Sequence, residues 1–242
     1  MITPYFRRET IGNCTLYLAD CRSVLPDVEI DAVVTDPPFG IGYRSNYATD
    51  ELWKAGRRIA GDECTALRDQ VLAYFATKPC LVFGSWKAAR PAGTRQILIW
   101  DKGGALGMGA LDIPWKPDHE EIYVLGKGFI GRRDSGSVLK CPPVQSMAKN
   151  GRLHPNQKPV RLLRELVRKV PGTVFDPFMG VGSTGVACVE LGRPFVGVEV
   201  EERFFDIACE RIREASRQGD LLNEIVEPTA DEGDELAKSG AA

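Results

Sequence analysis

Apolar residues recur along this chain in two alternating rhythms. Short aliphatic and β-branched runs, bounded by Gly, Pro or Asp, predict strands at 15–18, 31–35, 80–84, 95–100, 120–125, 173–176 and 194–200. Between them the spacing turns helical. Residues 65–76 carry Leu67, Val71, Leu72 and Phe75 on one side, and 160–170 carry Leu162, Leu163, Leu166 and Val167 behind Pro159, a favoured first-turn residue. Helices are also predicted at 183–191 and at 203–217, the latter built on Phe204, Phe205, Ile207, Ala208 and Ile212, with a short amphipathic piece at 22–25. Strands alternating with helices predict an α/β fold on a mostly parallel sheet. Two stretches lack periodicity: a loop at 40–62 containing Tyr43, Tyr47 and Trp53, and a Gly/Ser-containing segment from 127 to 153. Loops of that length inside a domain tend to be functional. We read 1–226 as one domain and 227–242 as a disordered acidic tail, since apolar residues become sparse there.

Composition narrows the class. No stretch approaches a membrane span, and the first residues lack the apolar core of a secretion signal, so a cytoplasmic protein is expected. The seven cysteines are scattered, odd in number and without C-x-x-C, and there are only two histidines. That favours reduced thiols over a disulfide framework or a metal centre. The net charge of −2 conceals an asymmetry: between Lys127 and Lys169 eleven basic residues face only Asp134 and Glu165. Such a segment suits a polyanion, although a solvated surface would look the same.

Candidate chemistry gathers at two places. The strand ending at Thr35 runs into Asp36-Pro37-Pro38-Phe39. Two prolines stiffen the chain and carry it out of the sheet, presenting a carboxylate, free carbonyls and a ring at a strand's carboxyl end, where open α/β sheets bind ligands. An acceptor beside a ring suits a planar group with an exocyclic amine. The second place is Phe175-Asp176-Pro177-Phe178-Met179-Gly180-Val181-Gly182-Ser183-Thr184-Gly185, a G-x-G-x-x-G turn between a predicted strand and helix, with Glu199 at the end of the next strand. Glycines allow close backbone approach, and the carboxylate stands where ribose hydroxyls would be taken. Alone, this turn also fits a nicotinamide-dependent oxidoreductase.

Taken with Leu18-Ala19-Asp20-Cys21, His119-Glu120-Glu121-Ile122-Tyr123-Val124, His154-Pro155-Asn156-Gln157-Lys158-Pro159 and Val196-Gly197-Val198-Glu199, in this order, the chain resembles the β group of amino-methylating DNA methyltransferases. These act on N6 of adenine or N4 of cytosine, and their catalytic motif precedes the cofactor turn. The resemblance implies a Rossmann-like methyltransferase fold with helices on both faces and permuted motif order, S-adenosylmethionine as donor, and DNA as partner. It implies that Asp20 and Cys21 flank the donor's adenine and that Glu199 binds its ribose. It further implies that Asp176, Phe178, Gly180, Gly182, Ser183 and Thr184 hold the methionine part, with Gln157, Lys158 and Pro159 closing over it. Asp36 and the Pro37 carbonyl would take the target amine, next to Pro38, and Phe39 would stack on the base. Phe39 stands where tyrosine is commoner in the adenine enzymes, and Asp before the prolines points to adenine rather than cytosine. Arg132, Arg133, Lys140, Lys149 and Arg152 become candidates for phosphate contacts. Cys141, before two prolines in the basic segment, lacks the order a cytosine-C5 nucleophile needs. An RNA or protein-glutamine amine methyltransferase would share the Asp-Pro-Pro-aromatic motif but not this motif order. A homodimer is compatible with the resemblance; neither it, nor a restriction partner, nor a recognition sequence is written in the residues.

Overall fold

The computed structural model describes residues 5–25, 28–42, 60–104, 112–144 and 157–226, with side chains described to residue 219. The interior of the first loop, the stretch holding Lys149, Arg152 and His154, and the acidic tail lie outside the described residues. The strands are β1 (Arg7–Ile11), β2 (Cys14–Leu18), β3 (Ala32–Thr35), β4 (Cys80–Gly84), β5 (Gln96–Asp101), β6 (His119–Leu125), β7 (Val138–Lys140), β8 (Val174–Asp176) and β9 (Phe195–Glu199). The helices are α1 (Cys21–Val24), α2 (Ala66–Tyr74), α3 (Val160–Val167), α4 (Ser183–Glu190) and α5 (Glu202–Val226).

All nine strands form one sheet in the order β1-β2-β9-β8-β3-β4-β6-β5-β7. The run from β2 through β9, β8 and β3 to β4 is parallel throughout. β1 is antiparallel to β2, and β6 is antiparallel to both β4 and β5. The sheet is therefore mixed, with parallel pairs in the majority. Side chains alternate across it as a two-sided core requires. Val34, Leu81, Phe83, Val174 and Phe195 point to a core shared with α3, α4 and α5, whereas Val33, Cys80, Val82, Phe175 and Val198 point to one shared with α1 and α2.

Neighbouring β3 and β8 send their following chain to opposite faces, β3 towards α2 and β8 into α4. Their carboxyl ends thus flank a topological switch point, where such sheets leave a crevice.

Two strands escape the hydrophobic pattern. β1 alternates charge: Arg7 pairs with Asp206 and Glu9 with Arg213, both on α5. β7 is three residues long inside the basic segment, held where Trp100 Nε1 donates to the Cys141 carbonyl at 2.7 Å.

Candidate active site

The carboxyl ends of β2, β9, β8, β3 and β4, with the start of β6, surround one cavity of about 540 Å³. A volume of that size suits a cofactor-sized ligand. Its walls bring the two poles read from the sequence together.

At the first pole Asp36 follows β3, and Pro37 and Pro38 carry the chain along the wall. Asp36 Oδ2 accepts from Lys158 Nζ at 2.7 Å, while Oδ1 is sealed from water and lacks a hydrogen-bond partner among the described residues. Burial pushes the Asp36 carboxyl up to about 6, with Lys158 opposing and Glu120 assisting. Lys158 is buried between Asp36 and Glu120, and its ammonium lies over the rings of Phe83, Phe39 and Trp100 at 5.0, 5.5 and 5.9 Å. Burial works against that cation, but its two carboxylates hold its pKa above the ordinary lysine value. The first loop is fastened at both ends by buried Asp62, whose carboxylate takes the Gly40 N–H at 2.7 Å and whose carbonyl takes the Gly42 N–H at 2.8 Å.

At the second pole, buried Asp176 ends β8. Its carboxylate accepts from Thr35 and Thr184 hydroxyls, each at 2.7 Å, and from the Phe178 N–H at 3.1 Å. Burial nevertheless pushes it up to about 6. Glu199, ending β9, takes the Val200 and Glu201 N–H groups on Oε1 and the Gly180 N–H on Oε2. Burial pushes it up to about 7 against those three donors. The glycines of the turn serve different ends. Gly180 has φ +51° and open space where a Cβ would stand, so a ligand can come close there. Gly182 and Gly185 instead let α4 approach its neighbours, with Ala208 facing the first and Phe195 and Ile212 facing the second.

Asp20, Cys21, Asp36, Pro37, Pro38, Phe39, Gln157, Lys158, Asp176, Phe178, Gly180, Ser183, Thr184 and Glu199 all line the cavity. Gly182 and Pro159 do not; Pro159 caps α3 just behind it. Asp20 caps α1 and is gripped by Arg22, whose hydrogen bonds hold its carboxyl below the usual range. The basic candidates separate. β6 begins at the cavity and ends beside the start of β4, so the chain after it lies at the opposite edge of the sheet. Arg132 and Arg133 sit there, where Ile130 N–H donates to the Lys169 carbonyl after α3. Lys140 pairs in register with Asp101 and returns to the cavity edge, on the outermost strand. Cys141 is buried outside the cavity, and burial raises its thiol pKa, which suits no nucleophile.

Sequence reading missed Ser85, Trp86 and Lys87, which follow β4 and line the mouth, and Glu120. The rule that ligands meet strand carboxyl ends could have found the first three. Trp86 stands out as a largely exposed ring on that wall.

Comparison with known proteins gives a consistent picture. The family of N6/N4 DNA methylases matches residues 99–210. The type II methyltransferase M2.MboI of Moraxella bovis is 33% identical over 88% of this chain and 92% of its own length. Among solved structures, the cytosine-N4-specific PvuII DNA methyltransferase covers 91% of this chain and 96% of its own, with a TM-score of 0.63 at 14% identity. The M1.HpyAVI–SAM complex covers 82% and 99%, with a TM-score of 0.57 at 21% identity.

Proposed function

This chain belongs to the N6/N4 DNA methylase family, and we propose that the base it methylates is adenine, at N6, with S-adenosylmethionine as donor and a cytoplasmic setting. The observation that carries the reading is that Asp36-Pro37-Pro38-Phe39 and the glycine turn that begins at Asp176 follow neighbouring strands and line one cavity. Asp rather than Ser before the prolines favours adenine.

The residues present fit the donor. The turn is open at Gly180, and Glu199 Oε2, with one N–H accepted, keeps a lone pair for a hydroxyl. Asp20 and Cys21 would wall the donor's adenine, Asp176, Phe178, Ser183 and Thr184 its methionine part, and Gln157 would close over it. Lys158, held by two carboxylates, would add positive charge on that side. Bound there, S-adenosylmethionine supplies a methyl group activated on sulfur, and the protein's own task is alignment.

An exocyclic amine is a weak nucleophile because its lone pair is delocalised into the ring. Asp36 keeps acceptor capacity at the site: Oδ2 accepts from Lys158, and Oδ1 has no hydrogen-bond partner among the described residues. With the Pro37 carbonyl it would hold the amine's hydrogens and direct the nitrogen's lone pair outward. Phe39 would stack on the base, which must leave the duplex to reach this depth. Asp36 thus acts by position and charge more than as a strong base. Lys87 and Lys140 stand on the cavity side and would meet phosphates there.

Expression with plasmid DNA in a host free of DNA methylation, followed by sequencing with base-modification detection, tests this. N6-methyladenine in a fixed sequence context is expected. N4-methylcytosine would keep the family and change the base; unmodified DNA would overturn the reading.

A further inference from the structure

Four charged side chains form an alternating row leading away from the first pole. Lys158 Nζ lies 2.7 Å from Asp36 Oδ2 and 3.2 Å from Glu120 Oε2, and Glu120 Oε1 accepts from Lys102 Nζ at 2.7 Å. Lys158 is 4% exposed, so its ammonium depends on the two carboxylates for the solvation it lacks. Glu120 Oε2 is itself sealed from water. Burial would raise the Glu120 carboxyl, but Lys158 and Lys102 outweigh it and hold the group below its ordinary value, so it stays ionised.

Glu120 lies in β6, where it pairs in register with Trp100 of β5, next to Glu121, which pairs with Gly84 of β4. Lys158 precedes α3 outside the sheet. Glu120 is therefore the sheet-anchored carboxylate against which Lys158 is drawn. With Lys158 so placed, one lone pair of Asp36 Oδ2 is taken and the orientation of the carboxylate is set, which leaves the second lone pair of Oδ2 and the unpartnered Oδ1 as its remaining acceptor capacity. Asp36 is faced by Lys158, by Glu120 from β6 and by Asp176 from β8; Lys102, from the end of β5, reaches it only through Glu120.

We propose that Glu120 is a positioning residue for methyl transfer, which through Lys158 fixes the direction and the ionisation of the Asp36 carboxylate. This rests on Asp36 being the amine acceptor. Glu120→Gln keeps an oxygen for Lys158 but removes a negative charge that favours protonation of Asp36. The rate at its plateau should fall, on the order of 100-fold for a misplaced acceptor. The acid limb of the pH–rate profile should move down by about one unit. Lys102→Met leaves the Glu120 charge uncompensated and should move the limb the other way. Loss of fold alone produces no such opposed pair of shifts.

The test reads both variants by pH–rate profile on DNA and, independently of activity, by 13C NMR titration of the Asp36 carboxyl, assigned by its loss in Asp36→Asn. Opposed shifts of the Asp36 midpoint support the proposal. An unmoved midpoint in folded variants, checked by thermal melting, overturns it even if the wild type methylates DNA. Should Glu120→Gln fail to fold, the direction of the shift in Lys102→Met decides. Opposed shifts in the two variants, with a wild type that methylates no DNA, would sink the functional reading while the electrostatic link stood.

Discussion

Thr35 donates its hydroxyl to Asp176 Oδ1 at 2.7 Å, which ties the residue before Asp36 to the residue that starts the glycine turn. Thr184, in the first turn of α4, closes the other carboxylate oxygen. One buried carboxylate therefore fastens β3, β8 and α4, and with them the two poles. Thr35→Val keeps the shape and removes the donor, leaving a buried carboxylate oxygen with one hydrogen bond fewer. We expect a loss of about 1–3 kcal/mol, read by urea denaturation. A variant as stable as the wild type would show that the poles are held otherwise.

Burial raises three carboxyls at this junction, Asp176 and Asp36 to about 6 and Glu199 to about 7. A carboxyl whose folded pKa exceeds its unfolded value of roughly 4 binds its proton more tightly when folded. Its stabilising contribution is present below the unfolded value and is lost as pH rises through the folded one. Glu120, held low, works in reverse and weakens the fold only in stronger acid. The melting temperature of the ligand-free protein should therefore rise as pH falls from about 8 to about 5. Asp176→Asn should flatten that slope, and a flat wild-type curve over the window would contradict the burial of these groups.

Asp36→Ala should separate binding from chemistry. The donor's walls do not require its side chain, whereas the amine loses its acceptor. Donor affinity by calorimetry is expected to stay within a few-fold, and methyl transfer to fall by at least about 100-fold. Lys158 keeps Glu120 as a partner in this variant, so the fold should persist. Full activity would remove Asp36 from the mechanism.

The central strands were legible because strands buried on both faces are written as unbroken apolar runs, as at Ala32–Thr35 and Cys80–Gly84. β1 was not, because Arg7 and Glu9 become a strand face only when Asp206 and Arg213 of α5 lie across from them. The poles could be read because proline and glycine act locally. The Glu120–Lys158 and Asp62–Gly40 pairings join residues from separate segments, and no local pattern announces them. Charge at Arg132 and Arg133 was equally visible, but which edge of the sheet it decorates depends on the antiparallel register of β6.

That register bears on where DNA lies. Arg132 and Arg133 are separated from the cavity by the length of β6, seven residues, or roughly 20 Å. Lys87 stands at the mouth and Lys140 on the same edge. Charge reversal at Lys87 and Lys140 should weaken DNA binding and make its dependence on log salt shallower, by close to one unit of slope per lost phosphate contact. The same reversal at Arg132 and Arg133 should leave the slope nearly unchanged. Equal effects at both edges would require DNA to wrap the sheet.

The glycine turn allows a sharper separation. At Gly180 an added Cβ meets nothing within 4 Å, and the residue lines the cavity, so Gly180→Ala costs only the left-handed backbone, about 1–2 kcal/mol, while its methyl group stands in the ligand's space. At Gly185 a Cβ would stand 2.5 Å from Ile212 Cδ1 and 2.9 Å from Phe195 Cε1, inside the contact of α4 with α5 and the sheet. Overpacking there costs about 1–3 kcal/mol, and the residue does not line the cavity. Gly180→Ala should therefore fold with a modest fall in melting temperature and lose donor affinity by 10-fold or more, roughly the 1.4 kcal/mol that tenfold represents. Gly185→Ala should melt clearly earlier and, in its folded fraction, bind the donor as the wild type does. Calorimetric titration with S-adenosylmethionine beside thermal melts reads both. Gly180→Ala binding at wild-type strength would mean that the donor does not approach the turn at its first glycine.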